Sequence, residues 1–126
     1  NTLKVRKLHK TDLAKERVGT VVHISAQKWQ YLAQYLLMNV DADPPYDNGR
    51  NTCALCTVFY REDILHPCED CPIYHKTHAD YCRGTQYHQY ADAADMGNYE
   101  KGLRTAVEEY LFLLSLADEL EGKDGI

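Results

Sequence analysis

The sequence predicts a mainly helical α+β domain, with two long amphipathic helices packed around an inserted cysteine-rich segment. Three observations carry that prediction. Apolar side chains recur with helical period in "SAQKWQYLAQYLLMNV" and again in "NYEKGLRTAVEEYLFLLSLADELEG". The β-branched run "VGTVVHI" ahead of the first helix has strand character. Between the helices, "CALCTVFYREDILHPCEDC" sets four cysteines, Cys53, Cys56, Cys68 and Cys71, into nineteen residues.

The chain of 126 residues is long enough for one domain, 1–126, and short enough that a covalent or metal staple would help its core. Residues 1–24 read as a basic N-terminal segment with short strands. Ser25 is the expected N-cap of a helix over 25–40, with Ile24 and Trp29 spaced as a hydrophobic staple. Trp29, Leu32, Ala33, Leu36 and Val40 give that helix one apolar face. Pro44, Pro45 and the Asn48-Gly49 pair stop it. The cysteine-rich segment occupies 51–84 and has too few aliphatic residues for a core of its own. A short helix over 85–96 would place Tyr87, Tyr90, Ala91 and Ala94 on one side. The last helix, 98–121, has Asn98 as cap and Gly122 as stop. Its stripe of Leu103, Ala106, Val107, Tyr110, Leu111, Leu114 and Ala117 is widened by Leu113, Leu116 and Leu120. A stripe so broad is buried on two sides or faces a partner, including a second copy of the chain.

Charge bounds the function classes. The net charge of −5 disfavours indiscriminate binding to nucleic acid or anionic lipid. Residues 1–17 nonetheless carry a net +4, and residues 92–126 a net −6. The densest apolar run, "YLFLLSLA", is eight residues long, far below the roughly eighteen of a membrane span. The first ten residues have no apolar signal core, so a cytoplasmic location is expected.

The thiols point to metal. Five cysteines is an odd number for a disulfide framework, and paired Cys-x-x-Cys motifs are more typical of metal knuckles. A thioredoxin-like site would need one such pair between a strand and a helix, and here two lie in a loop-rich stretch. Two Cys-x-x-Cys turns separated by eleven residues can complete a tetrahedron of sulfurs around zinc. Cys53, Cys56, Cys68 and Cys71 are therefore the expected ligands of one structural zinc, with Cys82 an alternative ligand or a free thiol. His66, His75, His78 and His88 lie close in sequence, and each reads more readily as a solvent-facing residue. Cys71-Pro72 echoes the Cys-Pro that ends some iron–sulfur motifs, although the remaining spacings do not follow them. "HPCEDC" contains half of the zinc deaminase signature, but no candidate ligand upstream is followed by the required glutamate. Glycine loops for phosphate, Gly-x-Ser-x-Gly and His-Glu-x-x-His are absent, so the reading leans away from an enzyme.

Ten tyrosines against two phenylalanines suit half-buried positions or a binding surface. Tyr60, Tyr74, Tyr81, Tyr87 and Tyr90, with Arg83, are the candidates for such a surface.

The run "CALC…CEDCPIYHKTHADYCRGTQYHQY" resembles the pattern of small cysteine-rich zinc-knuckle proteins of bacteriophages and related mobile elements. Cys53, Cys56, Cys68, Cys71, Pro72, Ile73, Cys82, Tyr87 and Tyr90 carry the resemblance, over about forty residues. It implies a phage origin and a zinc knuckle; with the acidic charge, the closed four-sulfur site and the broad last helix, the expected role is a small accessory protein acting as a non-enzymatic interaction module that binds or inhibits a host protein in the cytoplasm of the infected bacterial cell. The alternatives are a nucleic-acid-binding regulator, with tyrosines stacked on bases and the basic N-terminus on phosphates, and a small-molecule binder or enzyme.

Overall fold

The computed structural model describes residues 17–47, 53–79, 82 and 84–124, with side chains to residue 120. Among the described residues there are five helices and no strand: α1 (Val18–Met38), α2 (Ala54–Phe59), α3 (Pro72–Thr77), α4 (Tyr87–Met96) and α5 (Tyr99–Asp124). The expected α+β class is thereby corrected to an all-helical one.

The correction comes from "VGTVVHI". Instead of forming a strand, Val18–Ile24 makes the first two turns of α1, and Arg17, with extended backbone, is the N-cap. Val21, Val22, Ser25, Ala26, Trp29, Leu32, Ala33 and Leu36 form one buried stripe with helical spacing. A β-branched residue costs a helix only tenths of a kcal/mol, whereas burying a valine contributes ~1.5–3 kcal/mol, so packing decides. Ser25 consequently lies inside the helix, and neither its expected capping role nor the Ile24–Trp29 staple applies. The basic stretch 1–16 and the Asn48-Gly49 turn lie outside the described residues.

Helix α1 ends at Met38 and not at the expected residue 40, so Val40, expected on its apolar face, lies past the helix and is exposed. The Asn39 backbone N–H and side-chain amide both donate to the Tyr35 carbonyl, at 3.0 and 2.8 Å. Asp41 then takes a left-handed φ of 64°, and Pro44 and Pro45 lead the chain away. At the start of α5, the Asn98 side chain accepts from the Lys101 N–H at 3.1 Å, the cap expected of it. The helix then passes through Gly122 to Asp124 without stopping.

Helices α1 and α5 lie antiparallel. Tyr99, at the start of α5, donates its hydroxyl to the carbonyl of Leu36 near the end of α1 at 2.7 Å. At the other end Val18 shares a groove with Leu116 and Leu120. A Cβ on Gly102 would fall 2.4 Å from Pro44 Cγ, so only glycine admits the 42–47 segment this close to α5. The buried face of α5 is Gly102, Thr105, Ala106, Glu109, Leu113, Leu116 and Ala117. It is turned from the predicted stripe: Leu103, Val107, Tyr110, Leu114 and Leu120 are half-buried and Leu111 is exposed. Helix α4 packs on α5, with Tyr90, Ala93 and Ala94 inward. The two short helices of the cysteine-rich segment sit beside this three-helix frame. Among the described residues no helix is long and apolar enough to cross a membrane.

Candidate metal centre

Five thiols converge on one cavity. Cys53, Cys56, Cys68, Cys71 and Cys82 all line a space of about 460 Å³ between the frame and the cysteine segment. The four ligands expected from spacing are therefore brought together, and Cys82 joins them as a fifth.

Local structure places each pair. Cys53 is the N-cap of α2, where its sulfur accepts from the Cys56 N–H at 3.4 Å. The Thr57 N–H and hydroxyl both donate to the Cys53 carbonyl at 2.9 Å, tightening the turn. In the second pair the Cys71 N–H donates to the Cys68 carbonyl at 2.9 Å. Cys71 then caps α3, whose first residue is Pro72, a position where a missing N–H costs nothing. Cys82 reaches the cavity with a left-handed φ of 60°, uncommon for a residue with a side chain. Thr85 holds that backbone, its N–H and hydroxyl lying 3.1 and 2.9 Å from the Cys82 carbonyl.

The frame contributes three polar groups: Ser25, which the sequence marks for a different role, and Lys28 and Glu109, which sequence patterning passes over. Ser25, interior to α1, accepts from the Leu55 N–H at 3.2 Å and lies 4.0 Å from the Cys53 sulfur, so it anchors α2 to the frame. Lys28 is buried beside the cavity, with its ammonium 3.2 Å from Asp47 and 5.2 Å from the Trp29 ring centre. Glu109 is 2% exposed and accepts from the Thr85 hydroxyl at 3.1 Å and the Gln86 N–H at 3.3 Å. A signal for these groups existed. Lys28 and Glu109 both fall in register with the apolar faces of their helices, where a solvated charge has no place.

The electrostatics of the thiols differ one from another. Cys53 is held below the ordinary thiol range, chiefly because it accepts a hydrogen bond from the Cys56 thiol, with Lys28 adding to the effect. That same hydrogen bond, then burial and the neighbouring Cys53 charge, push Cys56 up. Burial pushes Cys71 up to about 12 and raises Cys82 as well. One thiol of the first pair thus ionises more readily than its neighbours, whose ionisation burial and nearby sulfur charge oppose. Burial likewise lifts the Glu109 carboxyl to about 7. The Thr85 hydroxyl has one hydrogen and two acceptors within reach, the Cys82 carbonyl and Glu109.

The walls are largely apolar and aromatic, formed by Trp29, Leu55, Ile73, Tyr74, Tyr87 and Leu113. Trp29 lies edge-on to Tyr87 at 6.1 Å and to Tyr90 at 5.1 Å. Of the tyrosines proposed as a binding surface, Tyr60, Tyr74 and Tyr87 are half-buried and line the cavity. Tyr90 is fully buried in the core, its ring supporting Trp29. Tyr81 and Arg83 lie outside the described residues. His66, His75 and His78 are exposed, and His88, also exposed, borders the cavity. Among the described residues no three His, Cys, Asp or Glu side chains close on a common point as a single ion would require. No protein-family profile matches the chain, and neither curated proteins nor solved structures provide a match to it.

Proposed function

We propose that this chain is a metal-centre protein whose cysteines hold a thiophilic metal inside the cavity and whose outer surface binds another protein. The observation that carries the reading is the convergence of all five cysteines, from three separate stretches of chain, on one cavity. Thiols buried against apolar walls suit a metal that will deprotonate and bind them, zinc in a four-sulfur site being the simplest occupant. Cys53, Cys56, Cys68 and Cys71 would supply that site, with Cys82 as an alternative ligand. In such a centre the metal fixes the segment between α1 and α4, which has little core of its own.

The surface supports an interaction role. Leu37, Met38 and Val40, at the end of α1, are 60, 83 and 73% exposed, and Met96, at the end of α4, is 64% exposed. Tyr46, also exposed, hydrogen-bonds Asp95 next to Met96, so these side chains gather at one end of the frame. An apolar end on an acidic chain fits a protein partner, a host protein or a second copy, better than a nucleic acid.

Native mass spectrometry with thiol counting on the same sample tests the metal reading. A metal-loaded chain with four protected thiols is expected, and a metal-free chain with five reactive thiols would end it. A salt titration against single-stranded DNA and RNA tests the surface reading. No binding at low salt is expected, and binding that weakens steeply with added salt would replace the protein partner with a nucleic acid.

A further inference from the structure

Resting on the protein-partner reading above, we infer that the exposed apolar end of the frame is a docking surface for a cationic amphipathic segment of another protein, one with apolar side chains flanked by lysines or arginines. The fold holds the parts of this end together. Tyr99, at the start of α5, hydrogen-bonds the Leu36 carbonyl in the last turn of α1. The Ala42 N–H donates to the Asn39 carbonyl at 3.0 Å, so the chain turns back directly after α1. It then passes Gly97, where an added Cβ would lie 3.0 Å from an Asp43 carboxylate oxygen, and Tyr46 hydrogen-bonds Asp95. The ends of α1 and α4 and the start of α5 therefore share one surface with residues 39–46.

The apolar component suits an adaptable contact. The chain has two methionines, and both, Met38 and Met96, are exposed here. Unbranched thioether side chains repack around apolar groups of differing shape, a property of surfaces that grip amphipathic helices. Leu37, Val40 and Tyr46 are exposed at the same end.

Charge selects the partner. Residues 37–46 and 92–101 carry five carboxylates, Asp41, Asp43, Asp92, Asp95 and Glu100, against one cation, Lys101. All five are exposed, and among the described residues none is in an ion pair with a lysine or arginine. Helices α1 and α4 both bring their C-terminal ends here, each with partial negative charge, and neither has a basic residue in its last turn to offset it. The positive N-terminal end of α5 opposes only one of them, and Asn98 and Glu100 already occupy it. Lysines or arginines beside the apolar face of a partner complement this rim. A second copy docking by the same end would set one carboxylate rim against another, and nucleic acid or an anionic bilayer would meet the same repulsion.

The test is a titration of labelled synthetic peptides with the full chain, read by fluorescence anisotropy. One peptide has leucines at helical spacing with lysines between them. A second has glutamates in place of the lysines, and a third scrambles the first so that no apolar face remains. Tightest binding of the first, weakening with added salt, is expected. Met38→Ser/Val40→Ser and Asp41→Asn/Asp43→Asn/Glu100→Gln should each weaken it about tenfold, the second variant also flattening the salt dependence. These positions are exposed, and asparagine tolerates the left-handed backbone at residue 41, so both variants should keep the wild-type circular dichroism. If either variant unfolds, the ranking of the three peptides on the wild type still decides. Equal binding of the scrambled peptide, or unchanged binding by either folded variant, would overturn the docking surface. Preference for the glutamate peptide would overturn the cationic partner and leave the protein-partner reading standing. No binding of any peptide would also overturn the inference, and the nucleic-acid titration above then decides the broader reading on its own. Carbodiimide cross-linking of the protein alone covers the other occupants. A bond from Asp41, Asp43 or Asp95 to Lys4, Lys7 or Lys10, or a concentration-dependent dimer lost in Met38→Ser/Val40→Ser, would assign this end to the chain itself and overturn the foreign partner.

Discussion

The hydroxyl of Tyr90 donates to the carbonyl of Pro45 at 2.6 Å, tying the middle of α4 to the segment that leaves α1. The same ring meets Trp29 edge-on. One side chain thus fastens the frame and backs the aromatic wall of the cavity.

Tyr90→Phe keeps the ring and leaves the Pro45 carbonyl without this donor, so a loss of about 1–2 kcal/mol is expected. Tyr90→Leu should lose more, because the edge-to-face contact contributes roughly another 0.5–1.5 kcal/mol. Denaturant midpoints for the two variants measure the difference, and equal midpoints would show that the ring contact contributes nothing.

Gly102→Ala should destabilise, against the usual trend in which removing a helical glycine gains ~1 kcal/mol. The new Cβ would strike Pro44 Cγ, and relieving that overlap costs about 1–3 kcal/mol. Pairing it with Pro44→Ala should recover much of the loss. A double-mutant cycle in thermal unfolding reads the coupling, and strictly additive effects would refute the close approach.

Glu109 should make stability depend on pH in an unusual direction for a carboxylate. Burial lifts its folded-state value from 4.5 to about 7, so between those values the folded chain keeps a proton that the unfolded chain has released. Its contribution is intact below about pH 4.5 and declines as pH rises to about 7, by on the order of 3 kcal/mol in total. Glu109→Gln removes this dependence. Variant and wild type should therefore have similar stability at pH 4 and diverge toward pH 7.5, with the variant the more stable.

Lys28→Met should cost about 3–5 kcal/mol, because it leaves the Asp47 carboxylate buried without the ammonium now 3.2 Å away. Adding Asp47→Leu should restore most of the loss, since a buried pair contributes little over a well-packed apolar one. Urea unfolding of the single and double variants checks it, and a double variant no better than the single would refute the pairing argument.

Spacing along the chain revealed part of this architecture and concealed the rest for definable reasons. The Asn98 cap, the double-proline exit and the grouping of the cysteines are local patterns, each set by a few adjacent residues. Val18–Ile24 reads as extended because β-branched composition is local, while the burial that makes it helical comes from α5. The face of α5 was misplaced because leucines at 103, 111 and 114 are as apolar as those at 113 and 116, and only packing separates them. Glu109 beside Glu108 reads as one solvated acidic pair. In the structure Glu109 is buried at the cavity and Glu108 reaches outward to Arg104. Tyr90 reads as a surface residue for a similar reason, since sequence does not tell a tyrosine that meets solvent from one that meets a carbonyl.

No cysteine lies on α1, α4 or α5. Thiol-directed reagents therefore act only on the segment between α1 and α4, while the paired helices and their exposed apolar end offer them no target. If the cysteines hold the proposed metal, a protein so divided can lose it without losing its outline. Damage would be registered first as protease cleavage between residues 53 and 82, with the frame around it still folded.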